Sequence, residues 1–204
     1  MPRPFALGGV IASVLLIAIG IGSVVIGLSG RSEVRDDVRL EKIAGTPDMT
    51  PALIRTAVDE AGLKNVVIPD CSVAGQAIDT GARAKCFAKY MRIHALEATG
   101  GRVYAEMGQY LTADGKETSD KAEAAVDPKT KQPVANGARN VWVTETALTT
   151  ALNTSFFAEQ VALFSIVMGI ALLLVGIGFL VLTSSLLRGP RRITAAVASK
   201  VAVA

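Results

Sequence analysis

Two apolar stretches decide the fold of this chain: FALGGVIASVLLIAIGIGSVVIGL at residues 5–28 and VALFSIVMGIALLLVGIGFLVLTSSLL at residues 161–187. Neither stretch contains a charged residue. A helix of about 24 residues that rises ~1.5 Å per residue is ~36 Å long, and the hydrocarbon core of a bilayer is ~30 Å thick. Each stretch therefore predicts a transmembrane helix. The first is longer than the apolar core of a cleaved signal peptide, so we expect it to be retained.

The net positive charge of the chain comes from the two ends, outside the region between the stretches. Five basic residues lie there: Arg3, Arg188, Arg191, Arg192 and Lys200. The other 16 of the 21 Lys and Arg, and all 18 Asp and Glu, lie between the stretches. The two ends thus carry +5 and the central region −2, which makes the net charge of +3 a membrane pattern and not the signature of a nucleic-acid partner.

This charge distribution predicts a multi-pass protein of the cell membrane with both termini in the cytoplasm, because short basic segments beside a span stay inside. The fold class expected is mainly α: two antiparallel transmembrane helices with a small, mostly helical, disulfide-stapled extracytoplasmic domain. The predicted order is a cytoplasmic N-terminus (1–4), the first span (5–28), the extracytoplasmic domain (29–160), the second span (161–187) and a cytoplasmic basic tail (188–204).

The chain has two cysteines, Cys71 and Cys86, and both lie between the spans. An even pair in an oxidising compartment predicts a disulfide, and the alternative is two unpaired thiols. On one continuous helix their Cα atoms would be ~22 Å apart, whereas a disulfide needs less than ~7 Å. The chain must therefore turn between them, and Gly75 and Gly81 provide places to do so. The disulfide that closes this loop is expected to raise the free energy of unfolding by ~3 kcal/mol.

Start and stop signals predict helices throughout the central region. Thr50 as N-cap and Pro51 as first helical residue predict a short helix over 51–61, with Gly62 after its end. A second helix is predicted from Thr80–Gly81 to Ala98. The first span is expected to continue outward as a helix, because from Arg31 onward neither Gly nor Pro occurs until Gly45.

The second span is likewise expected to begin far upstream. From about Ala138 the chain has no Gly or Pro until Gly169, which predicts one long helix. Residues 112–137 are rich in Asp, Lys, Gly and Pro and are predicted to be loop. We expect three aromatic residues to mark the outer membrane boundary: Trp142, Phe156 and Phe157.

Charged residues after the first span fall into rows along the expected helix. The basic row is Arg31, Arg35 and Arg39, and the acidic row is Glu33, Asp37 and Glu41. We interpret the segment as a solvated stalk, with partner binding on the two faces as the alternative.

Small residues recur at every seventh position of both spans. They are Ala6, Ser13, Gly20 and Gly27 in the first and Ala162, Gly169, Gly176 and Thr183 in the second. A seven-residue repeat keeps one stripe facing a partner, and small residues allow membrane helices to approach closely. We therefore predict that the spans pack along these stripes. The alternative is that small residues are simply common in membrane helices.

Catalytic and metal-binding patterns are weak in this sequence. His94 is the only histidine, no nucleophile-elbow, zinc-protease or P-loop spacing occurs, and we predict no cofactor and no metal. An enzyme would have to use His94 with Glu97 and Glu106. By helical spacing Phe87, Tyr90, Met91 and His94 share a face, which is a candidate binding face.

Two segments carry a resemblance to a known family. Residues 93–107 (IHALEATGGRVYAEM) and 136–148 (NGARNVWVTETAL) resemble a family of two-span actinobacterial membrane proteins. Some members carry the label aromatic ring-opening dioxygenase. Such enzymes commonly bind iron through two His and a carboxylate, and one His does not provide that set. The resemblance therefore implies the topology and the cell membrane, and no activity.

Together these patterns predict a non-enzymatic protein of the cell envelope. Its expected partners are the lipid bilayer and other membrane proteins or further copies of itself, with no nucleic acid. We expect an accessory, structural or interaction subunit of a membrane assembly. The alternative is an extracytoplasmic ligand-binding or sensing domain on a two-helix anchor.

Overall fold

The computed structural model describes residues 3–187, so the predicted basic tail at 188–204 and the first two residues of the predicted N-terminus lie outside it. The described part is mainly helical, as predicted. Its elements are α1 (Arg3–Leu40), α2 (Pro51–Glu60), α3 (Gly81–Ala98), a 3-10 helix (Tyr104–Glu106), β1 (Tyr110–Leu111), β2 (Glu117–Thr118) and α4 (Gly137–Leu187). The chain divides into two compact units, one formed by the chain up to Gly30 and from Val161, the other by Arg31–Gln160.

The helices α1 and α4 are long and apolar enough to cross a membrane. Their most apolar windows have mean hydropathies of 2.7 and 2.8, and only 11% and 17% of those windows are buried within the chain. The core helix of a soluble protein would be mostly covered by its own chain. Both helices continue beyond the apolar stretches, as predicted for the segment after the first span and the segment before the second.

Helix boundaries in the unit Arg31–Gln160 follow the predicted caps. The Thr50 hydroxyl accepts a hydrogen bond from the N–H of Leu53 (3.2 Å) and starts α2 with Pro51 in the first turn. The Thr80 hydroxyl accepts one from the N–H of Arg83 (3.3 Å) and starts α3. Each cap satisfies a backbone donor that the first helical turn leaves unpaired. Both helix predictions are confirmed.

The core of this unit is built around α3. Tyr90 is fully buried, and its hydroxyl donates a hydrogen bond of 2.5 Å to the carbonyl O of Cys71. Cys71 and Cys86 form the predicted disulfide, with their Cα atoms 6.2 Å apart. Since Cys86 lies on α3 and Cys71 lies before it, the predicted turn between them is also confirmed. Ile54 and Val58 of α2 pack into the same core.

Residues 103–118 contain short elements that the sequence did not predict. The strands β1 and β2 pair antiparallel, with Tyr110 opposite Thr118. Asp114-Gly115 lies in the turn between them, where Gly115 has a φ of +81°. Two-residue strands are too short to show an alternating pattern, so the sequence predicts only loop from residue 112 onward.

Trp142 belongs to a second, smaller core. The sequence predicts that it marks the outer membrane boundary, and the structure does not agree. Trp142 is 3% exposed and packs with Ala95 and Met107. Its indole N–H donates to the carbonyl O of Arg102 (2.9 Å) and to the hydroxyl of Thr99 (3.2 Å). A buried indole needs such partners. The prediction was wrong because an aromatic residue shortly before a span fits a boundary and a core equally well.

Candidate functional site

The predicted small-residue stripes lie where α1 and α4 meet. Seven of the eight positions are buried and Ala6 is half-buried; the seven are Ser13, Gly20, Gly27, Ala162, Gly169, Gly176 and Thr183. A Cβ atom built on Gly20 would lie 2.8 Å from the carbonyl O of Gly169, and one on Gly169 would lie 2.7 Å from the carbonyl O of Gly20. The two backbones are therefore in direct contact at this point, and any side chain larger than a hydrogen atom would separate them.

Further contacts extend this seam along the helices. A Cβ on Gly27 would lie 2.7 Å from the carbonyl O of Ala162, and one on Gly9 would collide with the methyl group of Thr183. By contrast, a Cβ on Gly22 or Gly178 would have nothing within 4 Å. Close packing thus belongs to one face of each helix, the face that carries the seven-residue repeat.

Glu159 forms a charge cluster that sequence reasoning did not single out. Its side chain is 7% exposed. One carboxylate oxygen accepts hydrogen bonds from the Nε of Arg31 (3.0 Å) and the Nε of Arg35 (2.8 Å). The other accepts one from the backbone N–H of Gly81 (2.7 Å), the first residue of α3. Both oxygens are therefore satisfied, and the carboxylate also lies at the positive end of a helix dipole.

The surroundings of Glu159 favour its charged form. Burial raises the pKa of this carboxyl, but the hydrogen bonds from Arg31, from the Gly81 N–H and from Arg35 outweigh it, so the pKa lies below the ordinary value. The group is an anion at neutral pH and joins α1, α3 and α4 within the unit Arg31–Gln160.

The prediction of a solvated stalk is wrong for part of the basic row. Arg31 and Arg35 have side chains only 39% and 30% exposed because they bind Glu159. Arg39 instead pairs with exposed Asp36 at 2.9 Å. One signal pointed to this cluster: Glu159 is the only charged residue between Glu145 and Arg188. An isolated acid beside a long apolar stretch needs a cation, and Arg31 and Arg35 follow the other stretch.

The predicted binding face of α3 is divided between core and surface. Phe87 and Tyr90 are buried in the core and are unavailable to a ligand, because the disulfide and α2 cover this part of α3. Met91 and His94 are half-buried and line a groove of about 520 Å³ together with Glu145. The sequence pattern showed that these residues share a face and did not show what covers it.

His94 has acidic neighbours and does not complete a metal site. Its Nε2 lies 3.1 Å from a carboxylate oxygen of Asp48, outside hydrogen-bond geometry, and its Nδ1 lies 3.6 Å from that of Glu97. Glu106 instead accepts a hydrogen bond from the N–H of Val103 (2.8 Å). Within residues 3–187, no group of three or more His, Cys, Asp or Glu side chains is placed to hold a metal ion.

A separate cleft of about 740 Å³ lies beside α3, bordered by residues 64–70 and by Val103. Ile93 and Leu96 of α3 form part of its apolar wall, and Lys89 and Arg92 add positive charge. By helical spacing Arg92 and Leu96 lie on the side of α3 that points away from Tyr90 and His94. The size is that of a small-molecule site.

Comparison of the chain with protein-family models, with curated proteins and with solved structures found no match.

Proposed function

We propose that this chain is a non-enzymatic integral membrane protein of the cell envelope that serves as an accessory or interaction subunit of a membrane assembly. One observation carries the proposal: α1 and α4 leave most of their large apolar side chains uncovered. Leu15, Ile26, Phe164 and Leu174 are 57%, 71%, 63% and 67% exposed. Lipid and other membrane helices are the surroundings in which such a surface is stable.

The spans are proposed to form an antiparallel hairpin. The supporting contacts run in opposite directions along the chain: Gly9 faces Thr183, Gly20 faces Gly169 and Gly27 faces Ala162. We further propose that both termini are cytoplasmic, because the two ends carry a net charge of +5 and the region between the spans carries −2. The Cys71–Cys86 disulfide supports an oxidising location for the unit that contains it.

A partner in the membrane is favoured by Gly22 of α1, a small residue that does not pack against α4. Ile19, Gly22 and Ile26 share one face of α1 at helical spacing, and a Cβ on Gly22 would meet nothing within 4 Å. A glycine between two exposed isoleucines gives a neighbouring helix a place to approach. Transport by one copy is disfavoured because neither span contains an ionisable residue and two helices do not enclose a pore.

Photocrosslinking in native membranes tests this proposal. Benzoylphenylalanine placed at Ile19 or at Ile26 is expected to give an adduct with a second protein chain. The matched control is Ile17, whose Cγ1 would lie 2.8 Å from a Cβ on Gly176 and which therefore faces α4. There we expect an internal crosslink only.

Purification in mild detergent provides the second measurement. We expect the protein to elute with a partner or as an oligomer, which mass spectrometry will identify. Lipid adducts alone at Ile19 and Ile26, together with a strictly monomeric and partner-free species at native abundance, would refute an interaction subunit.

A further inference from the structure

Part of the wall of the cleft beside α3 is apolar. Leu96 of α3 is half-buried and contributes apolar surface to the cleft, whereas Ile93 is 3% exposed and belongs to the core. Val66 and Ile68 line the cleft from the irregular segment 64–70. The branched side chains of Leu96, Val66 and Ile68 are half-buried and can contact a hydrocarbon chain, and the volume of about 740 Å³ falls in the range of sites that hold small molecules.

The charges of the residues that line this cleft do not sum to zero. Lys64, Lys89 and Arg92 line the cleft, and Asp70 is the acidic residue among its lining. The Nζ of Lys89 binds the carboxylate of Asp70 at 2.8 Å, so this pair is neutral. In the part of the chain that the structure describes, Lys64 and Arg92 make no ion pair. Two positive charges are thus left for an anion.

Within residues 3–187, the guanidinium of Arg92 contacts an aromatic ring and donates no hydrogen bond. The centre of its guanidinium lies 5.1 Å from the centroid of the Trp142 ring, in a cation–π contact. Trp142 is itself fixed by its bond to the carbonyl O of Arg102. A guanidinium positioned in this way binds an anion at a lower entropic cost than a freely moving side chain does.

We propose that this cleft binds a single-chain amphiphile with an anionic head, its hydrocarbon chain lying on Leu96, Val66 and Ile68 and its head bound by Arg92 and Lys64. Phosphate and carboxylate heads share the required chemistry, since both accept charge-assisted hydrogen bonds from guanidinium and ammonium groups. The ligand class follows from two features that occur together, a wall of branched apolar side chains and two uncompensated cations. The cleft is distinct from the groove lined by Met91 and His94.

Ligand titration of the full-length protein tests the proposal. The protein is placed in nanodiscs of zwitterionic lipid with a tryptophan-free scaffold protein, and the probes are octyl phosphate, octanoate, octanol and inorganic phosphate. Trp142 is the only tryptophan of the chain and contacts Arg92, so its fluorescence reports binding directly. Calorimetry against empty discs gives the affinity. Octyl phosphate or octanoate is expected to bind at least about tenfold more tightly than octanol or inorganic phosphate.

Charge-removing variants locate the site. Arg92→Gln and Lys64→Gln are each expected to weaken binding of the preferred octyl probe about tenfold or more. Arg55→Gln and Lys129→Gln remove the same charges from exposed residues outside the cleft and should leave affinity unchanged. Equal affinity for octanol, unchanged affinity in Arg92→Gln and Lys64→Gln, or equal weakening in the two controls would overturn the proposal. Selectivity between the two anionic probes would identify the head group.

Discussion

Glu159 is the buried charge whose loss we expect to affect stability most. Glu159→Gln removes the counterion of Arg31 and Arg35 and keeps a side chain of nearly the same volume. Breaking a buried ion pair usually costs about 3–5 kcal/mol, but here both arginines are about a third exposed and water solvates them in part. We therefore expect a loss of about 1–3 kcal/mol, measured by thermal or denaturant unfolding in detergent. Glu60→Gln, at an exposed position of α2, is the matched control and should change stability by less than about 0.5 kcal/mol.

The same carboxylate predicts a dependence of stability on pH. Its pKa is lowered in the folded protein, so its contribution is fully present above the ordinary value of 4.5 and is lost as the pH falls through the lowered pKa. The difference in unfolding free energy between the native protein and Glu159→Gln should be constant from pH 8 to pH 6. It should then shrink as the pH falls below 4.5. A difference that stays constant down to acid denaturation would mean that Glu159 does not stabilise the fold through its charge.

Gly20 and Gly22 offer a paired test of how α1 and α4 pack. A leucine at position 20 would have to displace the backbone of α4, because even a Cβ atom would lie 2.8 Å from the carbonyl O of Gly169. A leucine at position 22 meets open space. For the monomer released by a harsher detergent, we expect Gly20→Leu to lower the unfolding temperature by several degrees and Gly22→Leu to leave it nearly unchanged.

The helix α4 contains an equivalent pair of glycines, which repeats the test on the other side of the contact. Gly176→Leu should destabilise the protein, since a Cβ there would lie 2.8 Å from the Cγ1 of Ile17, and Gly178→Leu should not. Equal effects of the two substitutions within either pair would show that glycine itself, and not contact between the helices, sets the stability.

The disulfide is expected to stabilise the start of α3. It closes a loop of 15 residues, for which the chain-entropy estimate is ~3 kcal/mol. Reduction, or replacement of both Cys71 and Cys86 by Ser, should therefore lower the unfolding free energy by about that amount, as urea denaturation will measure. Cys86 is 5% exposed within the core, so part of the loss in the double variant will come from burying a hydroxyl. Comparison of the reduced native chain with the variant separates the two terms. Identical midpoints for the oxidised and reduced native chain would contradict the prediction.

Helices were predictable here because their signals are local. Thr50-Pro51 and Thr80 cap helices through atoms no more than three residues away, and the seven-residue stripes need only a count along the chain. Glu159 was not predicted because its partners lie 128, 124 and 78 residues away in the sequence. The burial of Tyr90 and Trp142 also depended on distant segments. Periodicity identifies a shared face, and only the tertiary structure shows what lies against it.

For the molecule as a whole, composition was more informative than any motif. Two uncharged stretches and the distribution of Lys and Arg led directly to the proposed topology. The clefts beside α3 were beyond sequence reasoning, because their walls come from α3, from segment 64–70 and from α4, and no local pattern relates these parts. Membrane placement can therefore be proposed from the sequence, whereas the candidate ligand site requires the structure.

Thiol labelling decides the proposed orientation. Both native cysteines are in the disulfide, so an engineered cysteine is the only free thiol of the chain. Ala113→Cys places it in the exposed turn between β1 and β2, and Ser199→Cys places it in the basic tail. A membrane-impermeant maleimide should label Ala113→Cys in intact cells and Ser199→Cys only after permeabilisation, with the native chain as the unlabelled control. The opposite pattern would invert the topology and would place the disulfide on the reducing side of the membrane, where such bonds rarely persist. The charge distribution and the disulfide make the same prediction for independent physical reasons, so labelling that contradicts one contradicts both.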